Sequence, residues 1–387
     1  YDEFYKHLSH DWDAPLARTH FQVEGTRSLP GLLFIPSKPP FALNNTTARG
    51  VSLFVKRVFI LDDAKELLPE WLRFLRGVVD SADLPLNVSR EMLQEDATTR
   101  FIRKQIVTKT LSLLEELQKE GETEVGEGDE KRTRNRVQEC WNHYGRVLKE
   151  GVYHESDKRE RIGKLLLYES SHSDKPTTLP AYVARMPSNQ QAIYYVTADN
   201  VATARQSPHS EELTSRGFEV LYMGDPIDEW VVQGMGEFDG HELVSAARGS
   251  LDLPMSDEEK QEHEEQVKEF APLTEKIQKA LGEHVREVRI TERLTDSPAC
   301  LVVDAHGLSP HMARILRANG QDVPDTPRIL ELNPKHPVVE KLGKIEDESE
   351  LQDLSGLLYD QALLAEGSMP SDPAGFAKRV AALMARE

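Results

Sequence analysis

The chain has 387 residues, 39% of them hydrophobic and 29% charged, which suits about two or three domains with ordinary cores. Acidic residues outnumber basic ones 66 to 47, giving a net charge of −19. That balance argues against a broad nucleic-acid surface, though not against a local basic site. With only Cys140 and Cys300, no disulfide framework is expected and a reducing cytoplasm fits. No apolar run approaches the roughly 18 residues of a membrane span. The chain opens on Tyr1 rather than Met, without a signal-peptide pattern, so it is expected to be a piece of a longer protein.

Residues 31–60 read as strands. Leu32 to Ile35 is an apolar run stopped by Pro36, and Val51 to Ile60 alternates and then turns apolar, as one strand entering a core would. Asn44 to Gly50 between them is turn material. Leu84 to Gln94 reads as a loop pinned by Leu84, Leu86 and Val88, followed by a helix start with Ser89 as its cap. Residues 98–119 form the clearest helix, with Ile102, Ile106, Leu113 and Leu117 on one stripe. Glu120 to Arg136 is charged, holds three glycines and predicts an exposed, mobile connector.

Residues 192–223 predict a strand, a helical stretch interrupted near Pro208 and ended at Gly217, and a second strand parallel to the first. Ser256 to Lys268, dense in Glu and Lys, predicts the main domain boundary, and a new helix runs from Phe270 to a cap at Gly282. Strands follow near 285–290, 300–303 and 329–332, and Asn333-Pro334 predicts a helix cap followed by proline at the first helical position. Two helices close the chain: one striped by Leu351, Leu354, Leu357, Leu358, Gln361, Ala362, Leu364 and Ala365, the other by Phe376, Val380, Leu383 and Met384.

Three stretches carry candidate chemistry. Arg90 and Gln94 stand four apart on the first turn of a helix, whose free N–H groups favour an anion. A guanidinium there makes either a phosphate clamp or an ordinary surface salt bridge, and spacing does not choose between them. Trp230, beside Glu229 and Gln233, is either a binding aromatic or a partly buried one. Leu308, Met312, Ile315 and Leu316 share a helical stripe that is either core or a contact surface, and Pro310 suggests that the helix starts late, placing Leu308 in more doubt than Met312. Residues 192–223 lack the Gly-x-Gly-x-x-Gly turn, and no Walker loop occurs anywhere. His306 and His311 are five apart, the wrong spacing for a helical zinc pair, so no metal site is expected, and Cys300 reads as core.

The run from Trp71 to Glu91 resembles the middle-domain signature of the heat-shock protein 90 family. Further matches include Gly31 to Pro36, Ile227-Asp228-Glu229-Trp230, Arg293-Leu294-Thr295-Asp296, Glu331 to Pro337 and Asp360 to Leu364. The tail lacks an acidic Met-Glu-Glu-Val-Asp peptide, which points to the bacterial HtpG branch. The resemblance implies an α+β / α/β multidomain protein. A middle domain would cover 1–256, with a large α/β part at 1–119 holding the arginine loop, a connector with helices at 120–190 and a small α/β part at 191–256. An α+β C-terminal dimerisation domain would cover 257–387.

It also implies an ATP-dependent chaperone, a cytoplasmic homodimer that remodels non-native client proteins, with a bacterial heat-shock protein 70 type system as a further partner. Arg90, assisted by Gln94, would reach the γ-phosphate of ATP held with Mg2+ by an N-terminal domain, so this chain alone is expected neither to bind nor to hydrolyse ATP. Clients would meet Glu229, Trp230, Gln233, Leu308, Met312, Ile315 and Leu316. Leu354, Leu357, Leu358, Gln361, Leu364, Phe376, Val380 and Leu383 would form the dimer interface. The competing expectation is a nucleotide-independent dimeric scaffold.

Overall fold

Five strands make the first sheet, β1 (Ala17–Val23), β2 (Leu29–Ile35), β3 (Gly50–Val55), β4 (Val58–Leu61) and β5 (Arg76–Ser81), in the order β1-β2-β5-β3-β4. β3 and β5 pair in parallel and the other neighbours are antiparallel. The computed structural model describes residues 1–24, 28–39, 50–85, 97–125, 132–251, 253–305, 307–324 and 326–385. Residues 44–49 and the arginine loop from residue 86 to residue 94 lie outside them. The protein is mixed α/β with several sheets, and it divides into two units, Tyr1–Leu167 and Tyr168–Glu387.

In the first unit, helices α1 (Asp2–Ser9), α2 (Ala97–Glu120), α3 (Arg136–His154) and α4 (Arg159–Gly163) accompany the sheet. The α2 stripe is buried at Ile102, Ile106, Leu113 and Leu117. Trp71, Phe74 and Tyr144 are wholly buried, and the rings of Phe74 and Tyr144 stack 4.3 Å apart. Gly151 lets α3 approach Trp71, because a Cβ there would come within 2.8 Å of the indole.

Two expectations need correction here. Residues 51–60 are not one strand but a hairpin, since Val55 pairs with Val58 across Lys56-Arg57, whose φ angles are 51° and 67°. Two-residue hairpin loops favour positive φ, usually supplied by Gly or Asn. Here the Arg57 N–H donates to the Asp80 carboxylate at 3.0 Å instead. Val58 and Phe59 are then half-exposed on an edge strand rather than entering a core. The charged connector, in turn, carries paired strands at its flanks: β6 (Glu122–Val125) lies antiparallel to β7 (Arg132–Asn135), and the Asn135 side chain caps α3 by accepting from the Gln138 N–H.

The second unit contains a six-stranded sheet. β8 (Leu167–Ser170), β9 (Thr177–Thr178), β10 (Ile193–Thr197), β11 (Val220–Met223), β12 (Glu237–Phe238) and β13 (His241–Ser245) run in the order β12-β13-β10-β11-β8-β9. Helix α5 (Leu179–Arg185) precedes β10. β10 and β11 pair in parallel through α6 (Val201–Arg205) and α7 (Glu211–Ser215), broken at Pro208, and Gly217 follows at φ 78°. Helix α8 (Asp228–Met235) follows β11.

A second sheet, β14 (Val285–Ile290), β16 (Arg328–Leu332) and β15 (Ala299–Val302), is ordered β14-β16-β15. With it come α9 (Asp257–Leu281), α10 (Pro310–Ala318), α11 (Pro337–Gly343), α12 (Glu348–Ala365) and α13 (Pro373–Met384). One core joins Ile277 and Leu281 of α9, Leu330 and Leu332 of β16, Val339 of α11 and Leu351, Leu358 and Leu363 of α12.

The helix expected from Phe270 starts earlier: the charged segment from Ser256 is the first half of α9, started by a capping box in which Ser256 and Glu259 exchange hydrogen bonds. The helix buries only Leu273, Ile277 and Leu281, so its solvated half reads as a bare charge run. Asn333 does not cap the next helix either. It is buried and donates to the Thr295 and Ser297 carbonyls, while His336 caps α11 with Pro337 at the first position.

Polar side chains tie the two sheets of this unit. Buried Arg293 donates to Glu331 (2.9 Å) and to the Ala246 and Gly249 carbonyls, and Arg289 holds the other Glu331 oxygen at 2.6 Å. Glu211 of α7 accepts from the backbone N–H groups of Thr295, Asp296 and Ser297.

Candidate functional site

Two helices that carry sequence-predicted contact residues meet in the second unit. α8 begins after a turn in which the Asp225 N–H donates to Asp228 (2.9 Å). It buries Val231, Val232 and Met235, leaves Trp230 half-buried and exposes Gln233. α10 begins with Ser309 as cap, the hydroxyl accepting from the Met312 N–H at 2.9 Å, and with Pro310 at the first helical position. His311 and Met312 are buried, Ile315 and Leu316 half-buried, and Leu308 is 49% exposed. Arg314 fixes the outer side of α10 through Asp199 at 3.0 Å and the Ser368 hydroxyl at 3.0 Å.

The junction is Glu229, whose carboxylate is fully buried. It accepts from the Ser309 hydroxyl at 2.6 Å and lies 3.4 Å from Arg248. His311 Nδ1 is also 3.4 Å away, a close approach that is not aligned as a hydrogen bond. Burial alone would raise this carboxyl's pKa. His311, Ser309 and Thr197, with the Arg248 charge, outweigh it and hold the pKa below the usual value, so Glu229 stays ionised at neutral pH.

This geometry revises three expectations. Glu229 cannot contact a client directly in this fold, because nothing of it is exposed. Met312 points into the protein while Leu308 lies outside it, the reverse of the sequence ranking, because the helix starts at Pro310 and leaves Leu308 before its cap. Leu358 packs inside its own core with Leu330 and Leu363, so it is not free to meet a second chain. Of the remaining interface candidates, Leu354 packs against that core, Leu357 is half-buried, and Gln361 and Leu364 are exposed. Phe376, Val380 and Leu383 are half-buried on α13, which has no buried residue. Arg379 pairs with Asp360 to hold α13 against α12. Arg90 and Gln94 lie outside the described residues. Among the described residues no helix is long and apolar enough to cross a membrane, and no group of three or more His, Cys, Asp or Glu could hold a metal ion. Cys300 is buried, in line with its reading as core.

The family model described as "Hsp90 protein" matches residues 1–387. The chain belongs to the Hsp90 family. It is 49% identical to "Chaperone protein HtpG" of Myxococcus xanthus over 390 residues, 99% of this chain and 58% of that protein. Against the proteins of the same name from Nitrosospira multiformis and Bordetella pertussis it is 48% and 47% identical, over 98% and 99% of this chain and 59% of each relative. This Hsp90-family chain thus spans a little under three-fifths of the curated relatives it matches.

Sequence reasoning missed Ser309, Arg248 and Asp199 as parts of the site. Ser309-Pro310 was a legible helix-start pair. Its partner Glu229 lies 80 positions away, which no local pattern reveals.

Proposed function

We propose that this chain is the client-holding, dimer-forming part of an ATP-dependent chaperone. The observation that carries the reading is the junction of α8 and α10 at Glu229 and Ser309: α8 carries half-buried Trp230 and exposed Gln233, and Leu308 before α10 and Ile315 and Leu316 on it remain wholly or partly open. Apolar surface rimmed by polar groups suits non-native segments. The relatives named as chaperones support the same reading. The apolar face of α12 and α13, with Leu364 and Val380, would be covered by a second copy in a two-fold pair. Arg90, with Gln94, would complete the γ-phosphate contact of ATP and Mg2+ bound by a module outside this chain, in a cytoplasmic protein that cooperates with a heat-shock protein 70 type system.

The chain should suppress light scattering from heat-aggregating citrate synthase at about one dimer per substrate, and Ile315→Asp should abolish much of this. Undiminished protection by that variant would refute the surface. In the protein joined to its ATP-binding module, Arg90→Ala should cut turnover by about a thousandfold or more while ATP still binds, and unchanged turnover would remove Arg90 from the account.

A further inference from the structure

We infer that Glu229 is a positioning residue for the client surface, acting through Ser309 to set the start of α10. The inference rests on the client-holding reading above and deepens it.

A serine hydroxyl has one proton and two lone pairs. In Ser309 both functions are used: a lone pair accepts from the Met312 N–H at 2.9 Å, and the proton goes to Glu229 at 2.6 Å. An ionised carboxylate only accepts, so it fixes the direction of that proton and turns the oxygen's lone pairs toward the helix. Its negative charge also faces the positive end of α10, where an anion is favoured. Ser309 is itself buried, so water does not compete for the hydroxyl. Trp230 follows Glu229 directly in α8, and Leu308 precedes Ser309 directly. One hydrogen bond therefore registers the two open edges of the surface against each other. Glutamine at 229 would keep an oxygen but could turn its amide toward the hydroxyl, releasing the cap.

The test is a mutant cycle read by fluorescence anisotropy, with labelled, reduced and carboxymethylated α-lactalbumin as a permanently unfolded probe. Glu229→Gln and Ser309→Ala should each weaken binding about tenfold, and the double variant also about tenfold rather than about a hundredfold, because both remove one interaction. Ser309→Thr, which keeps the hydroxyl, should bind as the parent does. Amide exchange at Met312 should quicken in both single variants while that of β10 stays unchanged. If Ser309→Ala does not fold, Ser309→Gly, a tolerated cap residue without a hydroxyl, completes the same cycle. Multiplying effects in the double variant, or full probe binding by Ser309→Ala, would overturn the positioning role while a weakened Trp230→Ala upheld the surface. Undiminished binding by Trp230→Ala would overturn both.

Discussion

His209 shows what burial does to a single ionisable group in this fold. The ring is 3% exposed, and its Nδ1 has no hydrogen-bond partner among the described residues. Burial first, then the charges of Arg293 and Arg328, lowers its pKa from 6.5 to about 3. The folded protein therefore refuses a proton that the unfolded chain accepts below pH 6.5. The stability associated with this histidine is complete above that pH and falls as the pH drops toward 3, at up to about 1.4 kcal/mol per unit. Urea unfolding between pH 7.5 and 5 should show a smaller loss of stability for His209→Gln than for the parent. Equal losses would show that His209 does not carry this dependence. Glu229 is buried as deeply, yet it keeps its charge because His311, Ser309, Thr197 and Arg248 outweigh the burial. Partners, and not depth alone, decide which groups stay ionised.

At the scale of elements, what was legible in the sequence follows from how each element is stabilised. α2 was readable because its apolar stripe of Ile102, Ile106, Leu113 and Leu117 is what it buries. The parallel pair β10 and β11 was readable because two apolar runs flank a helical stretch ended by Gly217. The solvated half of α9 was not, because its stability comes from a capping box and an acidic first turn while its apolar contacts come later. The hairpin at Lys56-Arg57 hid for a related reason. Its positive φ angles sit on residues that do not advertise them, and the compensating bond comes from Asp80 on another strand. In the candidate site, Trp230 and the α10 stripe were visible as apolar patterns, but the meeting of α8 with the start of α10 was not. It depends on one buried carboxylate meeting a hydroxyl 80 residues away.

For the whole molecule, the proposed pairing rests on the last two helices. α12 commits Leu351, Leu358 and Leu363 to its own core and leaves Leu364 40% exposed. α13 buries nothing along its length, an arrangement that a second copy would complete. Light scattering should give the parent about twice the 43.8 kDa chain mass and Leu364→Asp the mass of one chain, since an unpaired charge in an apolar interface is costly. A parent that is monomeric at tens of micromolar would contradict the pairing.

The central claim is that α8 and α10 present one continuous surface to non-native chains, and site-specific photo-crosslinking tests it most directly. A photoreactive phenylalanine would be placed in turn at Gln233, at Leu308 and, as a control on an equally open position of α9, at Val267, which is 45% exposed. Each protein would be irradiated with the unfolded carboxymethylated probe. The account predicts strong adducts from positions 233 and 308 and little from 267, while adducts of equal yield at all three would contradict it.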